Sequence, residues 1–177
     1  MGSADDLRAL IRDVPDFPKP GIVFKDITPL LLDPGALRQA GQMIAGGFAG
    51  NPVDVVVGIE ARGFVIGAVL AQQLDVGLAL VRKQGKLPYE TVRETYALEY
   101  GTDTDEMHTD AVRPGQQALV IDDLLATGGT AAATCTLVKQ LGAKVTGCGF
   151  IIELSFLHGR DKLADTQVVS LIQYESE

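Results

Sequence analysis

The residues of this chain best suited to chemistry are two adjacent carboxylates, Asp122 and Asp123, which lie between an apolar run and a loop of small residues. The apolar run at 118–121 is typical of a buried strand, and the loop at 126–130 leads into a helical segment. A glycine-rich turn of this kind points backbone N–H groups and the positive end of a helix at one spot, where a phosphate binds well. Two carboxylates beside that spot suit neighbouring hydroxyl groups or a bound cation. The segment therefore predicts a site for a sugar phosphate.

Positive charge is concentrated in a short run that contains Arg82, Lys83 and Lys86. The run follows an apolar segment at 78–81, and Arg62 similarly follows a strand-like segment at 53–59. In open α/β sheets, ligands bind at the carboxyl ends of the strands. Since the chain has a net charge of −8, these residues are the candidates for holding phosphate groups.

Strands that alternate with helices predict a mainly parallel, doubly wound α/β sheet with helices on both faces and a single domain. A first helix is expected over 7–14, followed by a short extended segment at 22–24. The remaining expected helices are 34–48, 61–74, 128–141 and 157–164, and the expected strands are 53–59, 78–81, 118–121, 144–153 and 168–173.

The segment at 84–108 is the least regular part of the chain, because it is polar and its aromatic residues are scattered. Residues 95–100 and 107–112 could pair as an antiparallel ribbon. A long irregular segment that leaves the ligand edge of a sheet is expected to be a flexible lid, and an ordinary surface loop is the alternative.

Composition excludes several classes of protein. The hydrophobic fraction of 46% is sufficient for a core, and no apolar run approaches the length of a membrane span. The acidic charge argues against nucleic-acid binding. Cys135 and Cys148 lie in apolar surroundings and are expected to be buried free thiols, which indicates a reducing cytoplasm. No His/Cys cluster has metal-ligand spacing, and no P-loop motif of nucleotide hydrolases occurs.

Residues 122–130, Asp-Asp-Leu-Leu-Ala-Thr-Gly-Gly-Thr, resemble the 5-phosphoribosyl diphosphate (PRPP) loop of the type I phosphoribosyltransferases. Other motifs, in one order along nearly the whole chain, make it similar to the members of that family that use adenine. These motifs are 15–29, 60–64, 81–88, 96–101 and Glu153-Leu154. The resemblance implies a reaction of adenine with PRPP that gives AMP and pyrophosphate.

The resemblance also implies roles for the candidate residues at the sugar. Asp122 and Asp123 are expected to accept hydrogen bonds from the ribose hydroxyls. The 5′-phosphate is expected to bind the loop residues Ala126, Thr127, Gly128, Gly129 and Thr130. Pyrophosphate would be held by Arg62, Arg82, Lys83 and Lys86 together with Mg²⁺, which binds mainly through the substrate. Some of these basic residues reach the neighbouring subunit's site in the family, which implies a homodimer.

For the base, the resemblance implies that residues 1–33 form a hood that covers adenine. Val23, Phe24 and Lys25 lie in the segment that covers the ring, and Lys25 stands where arginine is common in the family. Leu154 is expected to contact the base. Glu99 is expected to be the general acid/base at the purine, and Tyr100 beside it is a candidate substrate contact.

Two observations refine this expectation. The bond between Glu60 and Ala61 corresponds to a tight turn that often contains a cis peptide. Ala126 stands where relatives that use hypoxanthine and guanine commonly have an aspartate, which favours adenine. The alternatives are the same chemistry on a 6-oxopurine and a regulator that senses PRPP without catalysis.

Overall fold

The computed structural model describes residues 3–97 and 101–176, in which a seven-stranded sheet and a separate two-stranded hairpin occur. The strands are β1 (Arg12–Pro15), β2 (Val23–Asp26), β3 (Val55–Ile59), β4 (Gly77–Lys83), β5 (Thr91–Ala97), β6 (Thr102–His108), β7 (Gln117–Leu125), β8 (Lys144–Leu154) and β9 (Val168–Tyr174). The helices are α1 (Ala4–Arg8), α2 (Thr28–Leu32), α3 (Pro34–Gly47), α4 (Arg62–Leu74) and α5 (Gly129–Gln140), with 3₁₀ turns at Ser155–Leu157 and Gly159–Leu163. None of the helices in the described ranges has the length and apolar character needed to cross a bilayer.

The large sheet has the order β5-β6-β4-β3-β7-β8-β9. Its central strands β4, β3, β7, β8 and β9 are parallel, and β6 and β5 extend one edge as an antiparallel ribbon. The chain leaves β3 through α4 toward β4, and it leaves β7 through α5 toward β8 on the other side. The connections therefore diverge between β3 and β7, the switch point where doubly wound folds bind ligands.

Helices cover both faces of the sheet, as predicted. Ile44 of α3 and Leu70 of α4 pack with Leu119 on one face, whereas Val138 of α5 packs with Val120 on the other. All residues of β3 are buried, which explains its continuous apolar sequence. The predicted doubly wound α/β class is confirmed.

The first predicted helix is too long. It ends at Arg8, and residues 12–15 instead pair antiparallel with 23–26, so that Val14 lies opposite Phe24. The apolar spacing that suggested one helix belongs to two elements. Leu7 belongs to α1 and is buried, whereas Val14 belongs to β1.

The segment at 84–108 is more regular than its composition suggested. Residues 91–97 pair with 102–108 over their whole lengths, so the predicted second strand at 107–112 is wrong. The sequence did not indicate the strand β6 because it contains the polar residues Asp105 and Glu106, which are only 1% exposed. Lys83 binds Asp105, and the backbone amides of Gly85 and Leu87 bind Glu106, so both carboxylates are buried with partners.

The strand β7 also continues beyond its predicted end at 121. Its pairing with β3 ends at Ile121, but its pairing with β8 continues through Asp122 to Leu125. The two carboxylates therefore lie past the end of β3 while β8 still holds their backbone. This arrangement opens a space between β3 and β7 beside the acids.

We expect the N-cap of α3 to contribute measurably to stability. The Asp33 carboxylate accepts hydrogen bonds from the amides of Gly35 and Ala36, both at 2.8 Å. Asp33→Ala should lower the free energy of unfolding by roughly 0.5–2 kcal/mol, as measured by urea denaturation. Asp33→Asn keeps an accepting oxygen and serves as the control, and equal losses for the two variants would contradict this role.

Candidate active site

A polar cleft of about 290 Å³ opens at the carboxyl ends of β3, β4 and β7. The end of β3 contributes Glu60, Ala61 and Arg62, and the end of β4 contributes Lys83. The other side is formed by the acids and the loop that follows them, with Phe150 at its base. The residues of that side are Asp122, Asp123, Leu124, Leu125, Ala126, Thr127, Gly128, Gly129, Thr130 and Ala131.

The two acids of the cleft have different surroundings. Asp123 is 5% exposed and accepts a hydrogen bond from the Arg62 guanidinium. Asp122 is half-buried, and its Oδ1 accepts the backbone N–H of Asp123 at 2.8 Å. Burial, and then the neighbouring Asp123 charge, raise the pKa of Asp122 well above the usual carboxyl range. The pair therefore offers one carboxylate bound to a cation and one that takes up a proton readily.

The start of α4 approaches these acids closely because residue 63 is a glycine. A Cβ on Gly63 would lie 2.7 Å from the carbonyl oxygen of Ile121 and 3.0 Å from Oδ1 of Asp122. The absence of that atom allows Arg62, the first residue of α4, to reach Asp123. The peptide bond between Glu60 and Ala61 is cis, the geometry that the family resemblance suggested for this turn.

The loop from 126 to 130 has the geometry of an anion site. Gly128 is the N-cap of α5 and has φ +78°, a conformation that favours glycine. Since α5 begins at Gly129, the first amides of the helix have no intrahelical acceptor, and their residues line the cleft. The Thr130 hydroxyl lies 3.0 Å from the Tyr96 hydroxyl, which connects the loop to β5.

Two of the three residues of the basic run bind one carboxylate at the cleft. Arg82 Nη2 and Lys86 Nζ lie 3.0 and 2.9 Å from Oε1 of Glu60. The hydrogen bond from Arg82, followed by that from Lys86, lowers the pKa of Glu60 to about 2. Lys83 is the member of the run that lines the cleft.

Lys83 is held by two acids and a phenol. Its amino group lies 2.7 Å from carboxylate oxygens of Asp103 and Asp105 and 2.7 Å from the Tyr96 hydroxyl. Burial alone would lower the pKa of Lys83, but these hydrogen bonds outweigh it and raise the pKa above its ordinary value. The cation is thus charged and positioned before any ligand binds.

A second, more apolar pocket of about 220 Å³ adjoins the cleft. Four of the residues predicted from the sequence line it, namely Val23, Lys25, Thr127 and Leu154. Thr127 also lines the cleft. Sequence reasoning missed its other walls, although two of them follow Leu154 closely. These walls are Ile22, Phe156 and Leu157.

Phe24 and Lys25 are directed differently from their neighbour Val23. The Phe24 ring packs edge-to-face on Phe17, with 5.3 Å between ring centroids, and lies 5.5 Å from the Arg62 guanidinium carbon. The Lys25 amino group lies 2.9 Å from Oδ1 of Asp13 and 4.5 Å from the centre of the Tyr174 ring. Its charge is therefore already paired, although the residue contributes to the pocket wall.

Glu99 and Tyr100 lie outside the described residues. Immediately before them, Tyr96 binds Lys83 and Thr130, and Ala97 pairs with Thr102. Tyr96 therefore lies between the cleft residue Lys83 and the phosphate loop.

Comparison with known proteins identifies the family. A family model for the phosphoribosyl transferase domain matches residues 34–174. The adenine phosphoribosyltransferase of Syntrophotalea carbinolica is 55% identical over 170 residues, which cover 96% of this chain and 99% of the relative. That of Nitrosococcus oceani is 55% identical over 168 residues, covering 95% of this chain and 98% of the relative.

Solved structures of adenine phosphoribosyltransferases have the same fold. The crystal structure from Thermoanaerobacter pseudethanolicus superposes with a TM-score of 0.94 at 49% identity and covers 97% of this chain and 100% of its own. The enzyme of Saccharomyces cerevisiae, in complex with an imino-altritol bisphosphate and adenine, superposes with a TM-score of 0.89 at 41% identity and covers 95% and 97%.

These matches extend over nearly the whole length of both partners, so they are not confined to a shared loop. The chain belongs to the phosphoribosyltransferase family and, within it, to the adenine phosphoribosyltransferases, which are pentosyltransferases.

Proposed function

We propose that the chain transfers the 5-phosphoribosyl group of PRPP to N9 of adenine and releases AMP and pyrophosphate, a reaction of purine salvage. The observation that carries this proposal is that Thr127 lines both the polar cleft and the apolar pocket. A sugar phosphate in the cleft and a flat base in the pocket would be neighbours. Such proximity is what a reaction between C1′ and a ring nitrogen requires.

The cleft is suited to the phosphoribosyl group. The amides at the start of α5 would bind the 5′-phosphate, and the hydroxyls of Thr127 and Thr130 would add hydrogen bonds. Asp122 and Asp123 would accept hydrogen bonds from the ribose hydroxyls. The charge of Asp123 would also stabilise the positive, oxocarbenium-like ring that forms as the bond from C1′ to oxygen breaks.

The leaving pyrophosphate needs cations, and Arg62 and Lys83 line the cleft where it would depart. Arg82 and Lys86 are held next to them by Glu60. A phosphate would compete with the Glu60 carboxylate for charge-assisted hydrogen bonds from Arg82 and Lys86. These basic residues can therefore exchange partners as substrate binds.

Mg²⁺ fits this cleft as an ion held through the substrate. Within residues 3–97 and 101–176 no group of three or more His, Cys, Asp or Glu side chains could hold a metal. Glu60 nevertheless lines the cleft, and Mg²⁺ typically combines one or two carboxylates with substrate phosphates and waters. When bound, it would offset the charge that develops on the leaving diphosphate.

The apolar pocket suits the base, and both Val23 and Leu154 line it. Adenine must lose its N9 proton as N9 attacks C1′, and Glu99 is the proposed general base. Tyr100 is a further proposed contact. If residues 84–108 close over the site as a lid, they would exclude water, which competes for the activated sugar.

The yeast relative supports this pairing of ligands, since it binds adenine together with a bisphosphorylated imino sugar. Ala126 favours adenine over 6-oxopurines within the proposal, because it offers no side-chain acceptor near the base. The proposed hood at 1–33 would cover adenine through residues of β2.

We also infer a homodimer in the cytoplasm. Val65 on α4 and Leu80 on β4, which are 41% and 37% exposed, are candidate residues for the dimer interface. The cytoplasmic location is inferred from the sequence, in which Cys135 and Cys148 lie in apolar segments, and both side chains are buried.

The proposed function is tested by mixing the protein with PRPP, Mg²⁺ and each candidate base and measuring nucleotide formation. We expect AMP from adenine and much slower formation of IMP or GMP from hypoxanthine or guanine. Faster turnover of a 6-oxopurine would favour the oxopurine alternative. PRPP binding without any nucleotide product would favour the regulator.

We expect Glu99→Gln to lower kcat roughly 10²-fold or more, because the carboxylate is the proposed proton acceptor from adenine. Steady-state kinetics at saturating PRPP and adenine would measure the loss. Glu94→Gln is the matched control, since Glu94 lies on the same segment and binds Gln140 at 3.0 Å. If the control lost as much kcat as Glu99→Gln, the assignment of Glu99 would be wrong.

Asp123→Asn should lower kcat/KM for PRPP about 10-fold or more, because it removes both the charge-assisted bond with Arg62 and an acceptor for a ribose hydroxyl. Asp122→Asn should cost less, since its amide resembles the protonated carboxyl that burial favours at this position. Initial rates at varied PRPP would compare the two variants. A larger loss for Asp122→Asn would reverse the assigned roles.

A further inference from the structure

The turn at Gly159–Leu163 touches the phosphate loop with its backbone. A Cβ on Gly159 would overlap the carbonyl oxygen of Ala126 and would lie 3.1 Å from the amide nitrogen of Gly128. Conversely, a Cβ on Gly128 would overlap the carbonyl oxygen of Gly159. Two glycines therefore allow the backbones of two separate segments to meet directly below the proposed phosphate site.

The next residue, Arg160, fastens this turn to the sheet. Its Nε and Nη2 lie 2.7 Å from the two carboxylate oxygens of Glu153, which is 4% exposed on β8. Arg160 also donates to the carbonyl of Val168 and to the hydroxyl of Ser170 on β9, both at 3.2 Å. A planar guanidinium that binds two strands at once leaves the turn little freedom to move.

The ionisation of Glu153 strengthens this attachment. Burial alone would raise the pKa of Glu153, but hydrogen bonds from Arg160 and Ser170 outweigh it and lower the pKa below its ordinary value. Leu163, at the end of the same turn, is 3% exposed in the core on the α5 face. The turn is therefore anchored at both of its ends.

The chain just before this turn forms walls of the apolar pocket, since Leu154, Phe156 and Leu157 line it. One short segment thus contacts the phosphate loop through Gly159 and the proposed base pocket through Phe156 and Leu157. Arg160 and Glu153 line neither cavity and act only through this segment.

We propose that Gly159, fastened by the ion pair of Arg160 with Glu153, is a positioning residue. Its contact with Ala126 and Gly128 sets the position of the phosphate loop relative to the cleft, and thereby the affinity for PRPP. This inference rests on the proposed function for the identity of the ligand. The ion pair determines which of the two segments moves when a larger side chain is placed at residue 159. If the ion pair holds the turn in place, the phosphate loop is displaced. If the ion pair is removed, the turn moves instead and displaces the wall of the base pocket.

The first test is Gly159→Ala, which adds one methyl group at the contact. We expect the KM for PRPP to rise about 10-fold, because small displacements of a binding group are costly, while the KM for adenine stays within about 2-fold. Gly77→Ala is the matched control, since a Cβ there would meet no atom within 4 Å. Calorimetric titration with PRPP and Mg²⁺ should show the same loss of affinity without any dependence on turnover.

The second test releases the turn by the paired substitution Glu153→Leu with Arg160→Met. Replacing both members of this ion pair, of which Glu153 is the buried one, avoids leaving a buried charge unpaired, so the fold should be retained. In this background, Gly159→Ala should raise the KM for PRPP much less and the KM for adenine more, because Phe156 and Leu157 now move. Such a reversal measures coupling between the sites and is not expected from a general loss of stability.

If Gly159→Ala does not fold, as judged by its thermal transition, Arg160→Lys decides the matter. It keeps the charge but loses the two-pronged contact that holds Gly159 against the loop, and we expect the KM for PRPP to rise more than the KM for adenine. Unaltered PRPP affinity in the folded variants, or equal changes for both substrates in both backgrounds, would overturn the inference. Absence of AMP formation by the unsubstituted protein would refute the proposed function instead, and calorimetric PRPP binding would still test the loop.

Discussion

The contact between the start of α4 and the end of β7 is the constraint on which the site depends. Arg62 binds Asp123 across the gap between β3 and β7, and Gly63 allows the helix to approach the strand closely enough for that bond. The same gap lies at the switch point of the sheet, where neither neighbouring helix covers the strand ends. Without this contact, a buried carboxylate would have no cation, which proteins tolerate poorly.

An acidic chain that binds anionic ligands must concentrate its positive charge, and here that charge is held by carboxylates. Glu60 holds Arg82 and Lys86, while Asp103 and Asp105 hold Lys83. Each pairing orients a flexible side chain before substrate binds. The local field at the cleft is thus set by ion pairs that a phosphate can join or displace, although the whole chain carries −8.

The sequence predicted the central architecture and most walls of the cleft because both depend on local patterns. The apolar run of β3, the acids of β7 and the glycine loop are each recognised from a few consecutive residues. It was wrong where a signal depended on distant partners. Asp105 and Glu106 look like residues of an exposed loop, and only Lys83 and the amides near Gly85 make them suitable for a strand. Phe156 and Leu157 carry no motif of their own, so their place in the apolar pocket could not be read from their types.

By itself, the sequence determined the chemistry of this protein: an acid pair, a phosphate loop and a basic run placed at the ends of predicted strands. These features depend on residue types and on short spacings along the chain, both of which are visible in the sequence without knowledge of the fold. The tertiary structure alone decided which groups meet. It brought Gly159 against Ala126 and Gly128, joined Arg160 to Glu153 and Ser170, and placed Thr127 between two cavities. Such contacts join residues far apart in the chain, and they form only when the sheet and its connections bring those residues together.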